Sequence, residues 1–185
     1  MDAVSPSLQS QGLQADDFTL FGLPQRFALD AADLDVRWKA LQAQAHPDRF
    51  AAQGAAAQRL AMQWSVRINE AYQRLKSPLS RGAYLCELAG QAVRAEDNTA
   101  MPAAFLMQQM EWREALDEAA RDEAALEALL RETRQAQAQW LARLAQLLDV
   151  QHDAAAATGC VRALMFIDKF VRTVGQQLDD LDDTA

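Results

Sequence analysis

The chain has 185 residues, of which 50% are apolar and 24% are charged, and this is the composition of an ordinary folded globular protein. Its net charge of −8 is uneven, since residues 101–185 carry 8 basic and 15 acidic side chains while residues 16–76 carry 8 and 7. The acidic half argues against nucleic acid as a partner, because phosphates need a basic footprint. It favours a partner protein with a basic or mixed surface.

Residues 1–15 are predicted to form a disordered N-terminal tail. They lack the basic n-region and apolar h-region of a secretory signal, and they contain no arginine of the kind that mitochondrial presequences carry. No apolar run approaches the ~20 residues needed to span a membrane. The cysteines, Cys86 and Cys160, lie far apart in apolar helical patterns, which favours buried reduced thiols over a disulfide. We therefore expect a cytoplasmic protein without a membrane partner.

Residues 16–90 are predicted to form a first, all-α domain built around a helical hairpin. An apolar cluster at residues 18–23 precedes a helix from Asp30, a good N-cap, to Ala45. Apolar residues recur at helical spacing along this helix and form a stripe that is expected to be buried. A second apolar stripe follows in a helix over residues 55–75. A short helix over residues 79–89 ends at Gly90. The polar residues Arg37, Lys39, Gln42 and Gln44 are expected on the side of the first helix opposite its apolar stripe.

The tripeptide His46-Pro47-Asp48 lies in the loop of this hairpin. It is the wrong set for catalysis, because no Ser or Cys nucleophile lies nearby. A metal site is also disfavoured, because the tripeptide offers at most two ligands and His152 belongs to the other domain. From the residues alone, His46 as a helix C-cap and Asp48 as a solvated loop carboxylate remain an alternative to a binding loop.

Residues 91–101 are predicted to be a linker, and residues 102–185 an antiparallel three-helix bundle. Helical patterns cover residues 102–119, 122–148 and 153–178, and short connections between long amphipathic helices are typical of such bundles. The acidic tail is expected to leave the helix at Asp179. In the first of these helices, positions 107, 110, 111, 114 and 118 recur every three or four residues. Two alternatives remain. Either these positions form a binding face, or Leu106 and Met110 belong to the core and the glutamates form a solvated face.

Two sets of residues together resemble a known family. The first runs from Phe18-Thr19-Leu20-Phe21-Gly22-Leu23-Pro24 through His46-Pro47-Asp48-Arg49-Phe50 to Ile68-Asn69-Glu70-Ala71-Tyr72, and it resembles a J-domain. The second includes Pro78-Leu79, Arg81, Tyr84-Leu85, Phe105-Leu106-Met107, Glu111, Arg113-Glu114 and Asp117-Glu118. With it, the chain from about residue 16 to residue 178 resembles the HscB family, the J-type co-chaperones of bacterial iron–sulfur cluster assembly.

The resemblance implies a protein with two partners and no catalytic site or cofactor of its own. Its J-domain would stimulate the ATPase of a DnaK-type chaperone, HscA, and its bundle would deliver the iron–sulfur scaffold protein IscU. The chaperone-binding residues would be His46, Pro47 and Asp48, with a basic rim of Arg37, Lys39 and Arg49. The scaffold-binding residues would be Leu106, Met107, Met110, Glu111, Glu114, Glu118 and, from the last helix, Phe166.

The sequence departs from the family at two places and leaves two rival functions open. Many relatives have an aromatic residue where this chain has Ala45, and the helix from Asp30 to Ala45, with glutamines at 42 and 44, is less basic than in many J-domains. One rival is a general J-protein that presents other clients. The other is a metal- or cluster-binding protein that uses Cys86, Cys160 and the histidines, although their spacing disfavours it.

Overall fold

A computed structural model describes residues 13–93, 101, 103–119 and 122–182. Within these ranges it contains seven α-helices and no strand, which confirms the predicted all-α fold. Residues 1–12 of the predicted tail, residues 94–100 of the predicted linker, and Pro102 lie outside the described residues. The chain divides into two compact units, Met1–Tyr84 and Leu85–Ala185. The linker at residues 91–101 stays a prediction.

The first unit contains α1 (Asp17–Phe21), α2 (Ala31–Ala45), a 3-10 segment (Pro47–Gln53) and α3 (Ala55–Lys76). The side chain of Asp30 accepts hydrogen bonds from the backbone N–H groups of Ala32 and Asp33, which confirms it as the N-cap of α2. Helix α1 ends at Gly22, whose φ of 62° is left-handed and suits glycine. The backbone N–H of Leu23 then donates to the Phe18 oxygen at 2.8 Å and closes the turn.

All three helices of the first unit bury apolar side chains. Phe18 of α1, Leu34 of α2 and Ile68 of α3 are each at most 1% exposed. The predicted apolar cluster and the two predicted stripes therefore do form a buried interior. Removing this apolar surface from water is the main driving force for closing the hairpin.

Helix α4 (Pro78–Leu88) contains the division between the two units, and the second unit continues with three long helices. These are α5 (Ala103–Glu118), α6 (Glu123–Ala145) and α7 (Ala154–Asp182). Their core is one cluster of buried residues: Phe105, Trp112, Ala119, Leu126, Leu129, Ala163, Ile167, Phe170 and Val174. The predicted three-helix bundle is confirmed. Helix α4 ends at Leu88, and Gly90, the predicted stop residue, follows it with a left-handed φ of 75°.

The last two helices differ from the prediction at their ends. Helix α6 gives way to a π-helical segment at Gln146–Val150, which the 3.6-residue pattern did not indicate. The expected end of α7 at Asp179 is wrong, because the helix continues to Asp182. Its apolar spacing continues too, since Leu178 and Leu181 pack against the bundle core while Asp179 and Asp180 are exposed.

Candidate functional site

The first candidate surface is the loop that joins α2 to α3. Helix α2 stops at Ala45 because Pro47 has no backbone N–H and disfavours helix in the residue before it. His46 accordingly leaves the helical region, with φ −64° and ψ 125°. A short 3-10 segment follows, and Phe50 from it is buried against Ala57 and Ala61 at the start of α3. Proline at the start and an anchored phenylalanine near the middle give this loop a defined path.

His46 and Asp48 are the outward-facing groups of this loop. Their side chains are 58% and 91% exposed, and the His46 Nδ1 atom lies 3.6 Å from an Asp48 carboxylate oxygen. The same Nδ1 accepts a hydrogen bond from the backbone N–H of Asp48 at 3.3 Å. Because Nδ1 accepts, a neutral ring carries its hydrogen on Nε2. The loop thus offers an imidazole N–H donor and a carboxylate to a partner.

The predicted basic rim divides into three different environments. Lys39 is exposed on α2. Arg37 is committed internally, because its Nη1 donates to the backbone oxygens of Phe21 and Gly22 at 3.0 Å each and its Nε donates to Asp33 at 2.9 Å. Arg49 donates from Nη1 to the Ala43 oxygen at 3.1 Å. Only Lys39 of this rim therefore has no side-chain hydrogen bond among the described contacts.

Two predictions about the outer side of α2 are wrong. Arg37 faces the carboxyl end of α1, as its hydrogen bonds show. Gln42 faces α3, because its Nε2 donates to the Ser65 oxygen at 3.0 Å and its Oε1 accepts from the Ser65 hydroxyl at 2.8 Å. Polar side chains on a helix can meet a neighbouring element instead of solvent, and the apolar spacing does not distinguish the two.

A cluster of Asp35, Trp38, Tyr72 and Lys76 joins α2 to α3 towards the end of the hairpin that lies away from the loop. The rings of Trp38 and Tyr72 stack with centroids 4.6 Å apart. The Tyr72 hydroxyl donates to Asp35 at 2.7 Å and accepts from Lys76 Nζ at 2.6 Å. The hydrogen bond from Tyr72 outweighs the cost of desolvation and, together with the Lys76 charge, holds the pKa of Asp35 below its ordinary value. The cluster fixes α2 against α3 and so positions the loop between them.

The second candidate surface is the outer face of α5 in the second unit. Leu106, Met107 and Met110 are 45%, 64% and 62% exposed, which excludes the alternative that Leu106 and Met110 belong to the core. Glu111, Glu114 and Glu118 are also exposed. The opposite side of the helix carries the buried Phe105 and Trp112. An apolar strip and a row of carboxylates therefore share one solvent-facing side.

Phe166 of α7 is partly buried and lies at the margin of the bundle core. Its ring meets Phe105 edge-on, with centroids 6.0 Å apart, and the Arg113 guanidinium of α5 lies 5.5 Å from its centroid. Phe166 thus contacts the helix that carries the other predicted scaffold-binding residues. Sequence reasoning missed Arg113 as a neighbour of Phe166. The available signal was that Arg113 follows Met110 by three residues, which places both on the same side of the helix.

The three carboxylates of the α5 face have no ion pair within 4.0 Å among the described residues. Ion pairs in the bundle instead join residues one helical turn apart, as between Arg131 and Glu127 or Arg172 and Asp168. The α5 face therefore presents uncompensated negative charge next to exposed methionine side chains. Such a face suits a partner segment with apolar and basic residues.

Metal binding finds no support in the part of the chain that the structure describes. No group of three or more His, Cys, Asp or Glu residues there could hold an ion. Cys86 and Cys160 are buried and unpaired. Burial raises the pKa of the Cys86 thiol to about 11, and burial also raises that of Cys160. Thiols in this environment stay protonated and inert.

No described helix is long and apolar enough to cross a membrane.

Comparisons with known proteins give the family. Residues 101–175 match the family model described as the HSCB C-terminal oligomerisation domain. The co-chaperone protein HscB homolog of Cupriavidus taiwanensis is 52% identical over 173 residues, which cover 92% of this chain and 98% of that one. The homolog of Bordetella avium is 52% identical over 161 residues, or 86% of this chain and 96% of the relative.

Two solved structures share the fold. The chaperone HscB from Vibrio cholerae is 38% identical and superposes with a TM-score of 0.77, over 90% of this chain and 99% of that chain. The crystal structure of human co-chaperone protein HscB gives a TM-score of 0.82 at 27% identity, over 88% and 82% of the two chains. A J-domain followed by a helical bundle is the architecture of both. The chain therefore belongs to the HscB family of co-chaperones.

Proposed function

We propose that the protein assists iron–sulfur cluster assembly by coupling two partners. Its J-domain stimulates the ATPase of a DnaK-type chaperone, HscA, through the loop of His46, Pro47 and Asp48. Its α5 face binds the cluster scaffold IscU through Leu106, Met107, Met110 and the three glutamates, with Phe166 from α7. The protein has no ATPase activity of its own in this proposal.

The exposed loop is the observation that carries the chaperone half of the proposal. His46 and Asp48 project from a fixed hairpin end, with the Asp48 carboxylate 91% exposed. Among the described residues, only the adjacent His46 ring brings a basic nitrogen within 4.0 Å of this carboxylate. A carboxylate presented in this way supports an ion pair with a basic residue of a partner, and rim charges such as Lys39 mainly raise the association rate.

The exposed apolar strip supports the scaffold half. Leu106, Met107 and Met110 leave a contiguous apolar surface uncovered, and contiguous exposed apolar patches mark interaction sites. Methionine side chains adapt to the shape of a partner. The proposal of a single scaffold client follows the family. The proposed cytoplasmic localisation also follows the family, and a reducing compartment suits the two free thiols.

The test is an ATPase assay with purified HscA, with and without IscU. We expect His46→Gln to abolish stimulation while binding of the scaffold, measured by calorimetry, stays at the wild-type level. The matched control is His152→Asn, because His152 is the other histidine, is exposed, and has a φ of 53° that asparagine tolerates. Full stimulation by His46→Gln would refute the loop assignment. Capture of many unfolded clients instead of IscU would favour a general J-protein.

A further inference from the structure

The carbonyl oxygen of Ala43, in the last turn of α2, needs a donor from outside the helix backbone. In an α-helix this oxygen accepts from the backbone N–H four residues later. That residue is Pro47, which has no N–H. Nη1 of Arg49 lies 3.1 Å from the Ala43 oxygen and donates to it. The Arg49 side chain thus supplies the donor that Pro47 removes.

Arg49 is also tied to the loop through its backbone. Its N–H donates to the His46 oxygen at 3.1 Å. The next residue, Phe50, is buried against Ala57 and Ala61 of α3. The side chain of Arg49 therefore reaches back to α2 while its neighbour in sequence is anchored on α3. Residues 46–48 lie between these two attachments.

We propose that Arg49 is a positioning residue, which holds His46, Pro47 and Asp48 in the conformation that the chaperone recognises. The role assigned to the loop rests on the proposed function, but the hydrogen bond from Arg49 does not. The sequence placed Arg49 with Lys39 in a basic rim that touches the chaperone. The geometry gives Nη1 of the exposed Arg49 side chain an acceptor on α2, and we assign its effect on the chaperone to the loop that this bond holds.

A positioning role has a definite kinetic consequence. If loss of the bond lets the loop sample other conformations, the apparent dissociation constant rises by the inverse of the fraction that remains competent. Saturating co-chaperone then still gives full stimulation. Loss of a direct contact between Arg49 and the chaperone, in contrast, would raise this dissociation constant without changing the protection of the loop in the free protein.

The first test uses the free protein and amide hydrogen exchange. A typical hydrogen bond contributes about 0.5–1.5 kcal/mol, so we expect Arg49→Met to lower the protection of the amides at positions 48–50 by about two- to tenfold. Arg59→Met is the matched control, because Arg59 is an exposed arginine of α3. Pro47→Ala restores an N–H at position 47. In that background, Arg49→Met should cause no further loss of protection.

The second test measures stimulation of HscA over a range of co-chaperone concentrations. Arg49→Met should raise the half-saturating concentration by about two- to tenfold, the factor expected from one hydrogen bond, with an unchanged maximum and a matching loss of loop protection. Unchanged loop protection together with a raised half-saturating concentration would overturn the proposal in favour of direct contact. The proposal would also be overturned if Arg49→Met lowered amide protection equally in the wild-type and in the Pro47→Ala background. If wild-type protein fails to stimulate HscA, the proposed function is refuted, and the exchange cycle still decides the role of Arg49.

Discussion

The carboxylate of Asp17, which is completely buried, lies 2.7 Å from the guanidinium of Arg67. Its second oxygen lies 3.2 Å from the guanidinium of Arg74, which is two helical turns further along α3. The backbone N–H of Asp17 donates to the Tyr84 hydroxyl at 3.0 Å. One aspartate at the start of α1 thus connects that helix to α3 and to the end of the first unit.

Asp17→Ala should strongly destabilise the first unit. Breaking a fully buried ion pair costs about 3–5 kcal/mol, and we expect about 2–3 kcal/mol here because both guanidiniums keep some contact with water. Urea unfolding monitored by tryptophan fluorescence measures the change. Glu70→Ala, at an exposed carboxylate of α3, is the control and should stay within about 0.5 kcal/mol of wild type. Equal stability of Asp17→Ala and wild type would mean that the paired charges only offset their own desolvation.

Arg37 and Lys39 should separate stability from chaperone binding. Arg37→Met removes the donor to two carbonyl oxygens at the end of α1, so we expect a loss of about 1–2 kcal/mol in the free energy of unfolding. Lys39→Met should leave stability within about 0.5 kcal/mol. It should instead weaken HscA binding at low salt and flatten the salt dependence. Wild-type stability of Arg37→Met would contradict the internal role of its guanidinium.

Local signals explain why much of the fold could be predicted from the sequence. The cap at Asp30, the stop at Pro47 and the glycine after α4 each act within a few residues of their own position, so each can be read without knowledge of the tertiary fold. Arg37 and Gln42 could not be placed this way, because their acceptors lie on other helices. The exposure of Leu106 and Met110 depended on how α5 packs in the bundle. The family resemblance assigned these positions, and the apolar spacing alone left them open.

Tyr72→Phe should change how stability depends on pH. The Tyr72 hydroxyl is the main cause of the lowered pKa of Asp35. A lowered pKa in the folded state contributes stability above the unfolded-state pKa, and this contribution is lost as pH falls through the folded-state pKa. The variant keeps the ring that stacks on Trp38 but loses the hydroxyl. We expect it to be less stable than wild type at about pH 7, with the Asp35-linked part of the difference lost as pH falls through the folded-state pKa of Asp35.

The control for this prediction is the same change in an Asp35→Asn background. Without the carboxylate, the effect of Tyr72→Phe should not change with pH over the acidic range in which Asp35 titrates. Titration of the Asp35 carboxyl group by NMR should show its pKa moving up toward the ordinary value in Tyr72→Phe. An unmoved Asp35 titration would show that the hydroxyl is not the source of the shift.

Leu106→Ala combined with Met110→Ala should weaken scaffold binding without unfolding the bundle. Both side chains are about half exposed or more, so the free energy of unfolding should change by less than about 1 kcal/mol. Binding of IscU, measured by calorimetry, should weaken by about 1–3 kcal/mol if these residues anchor the interface. Met62→Ala combined with Val66→Ala removes exposed apolar groups from α3 instead and is the control. If the wild type and both double variants bound IscU with equal affinity, the scaffold site would lie elsewhere on the protein.

Cys86 and Cys160 should be unreactive in the folded protein, and this separates a chaperone adaptor from a protein that binds metal through its thiols. With its pKa raised to about 11, Cys86 holds only ~0.1% thiolate at about pH 8, and the thiolate is the reactive and metal-binding form. We expect a thiol reagent such as DTNB to label neither cysteine until denaturant is added, when both react. An Ala56→Cys variant, exposed at the start of α3, should react at once and shows that the reagent is active. Rapid labelling of native wild type, or visible absorbance bands that survive desalting, would instead favour a thiol-bound metal or cluster.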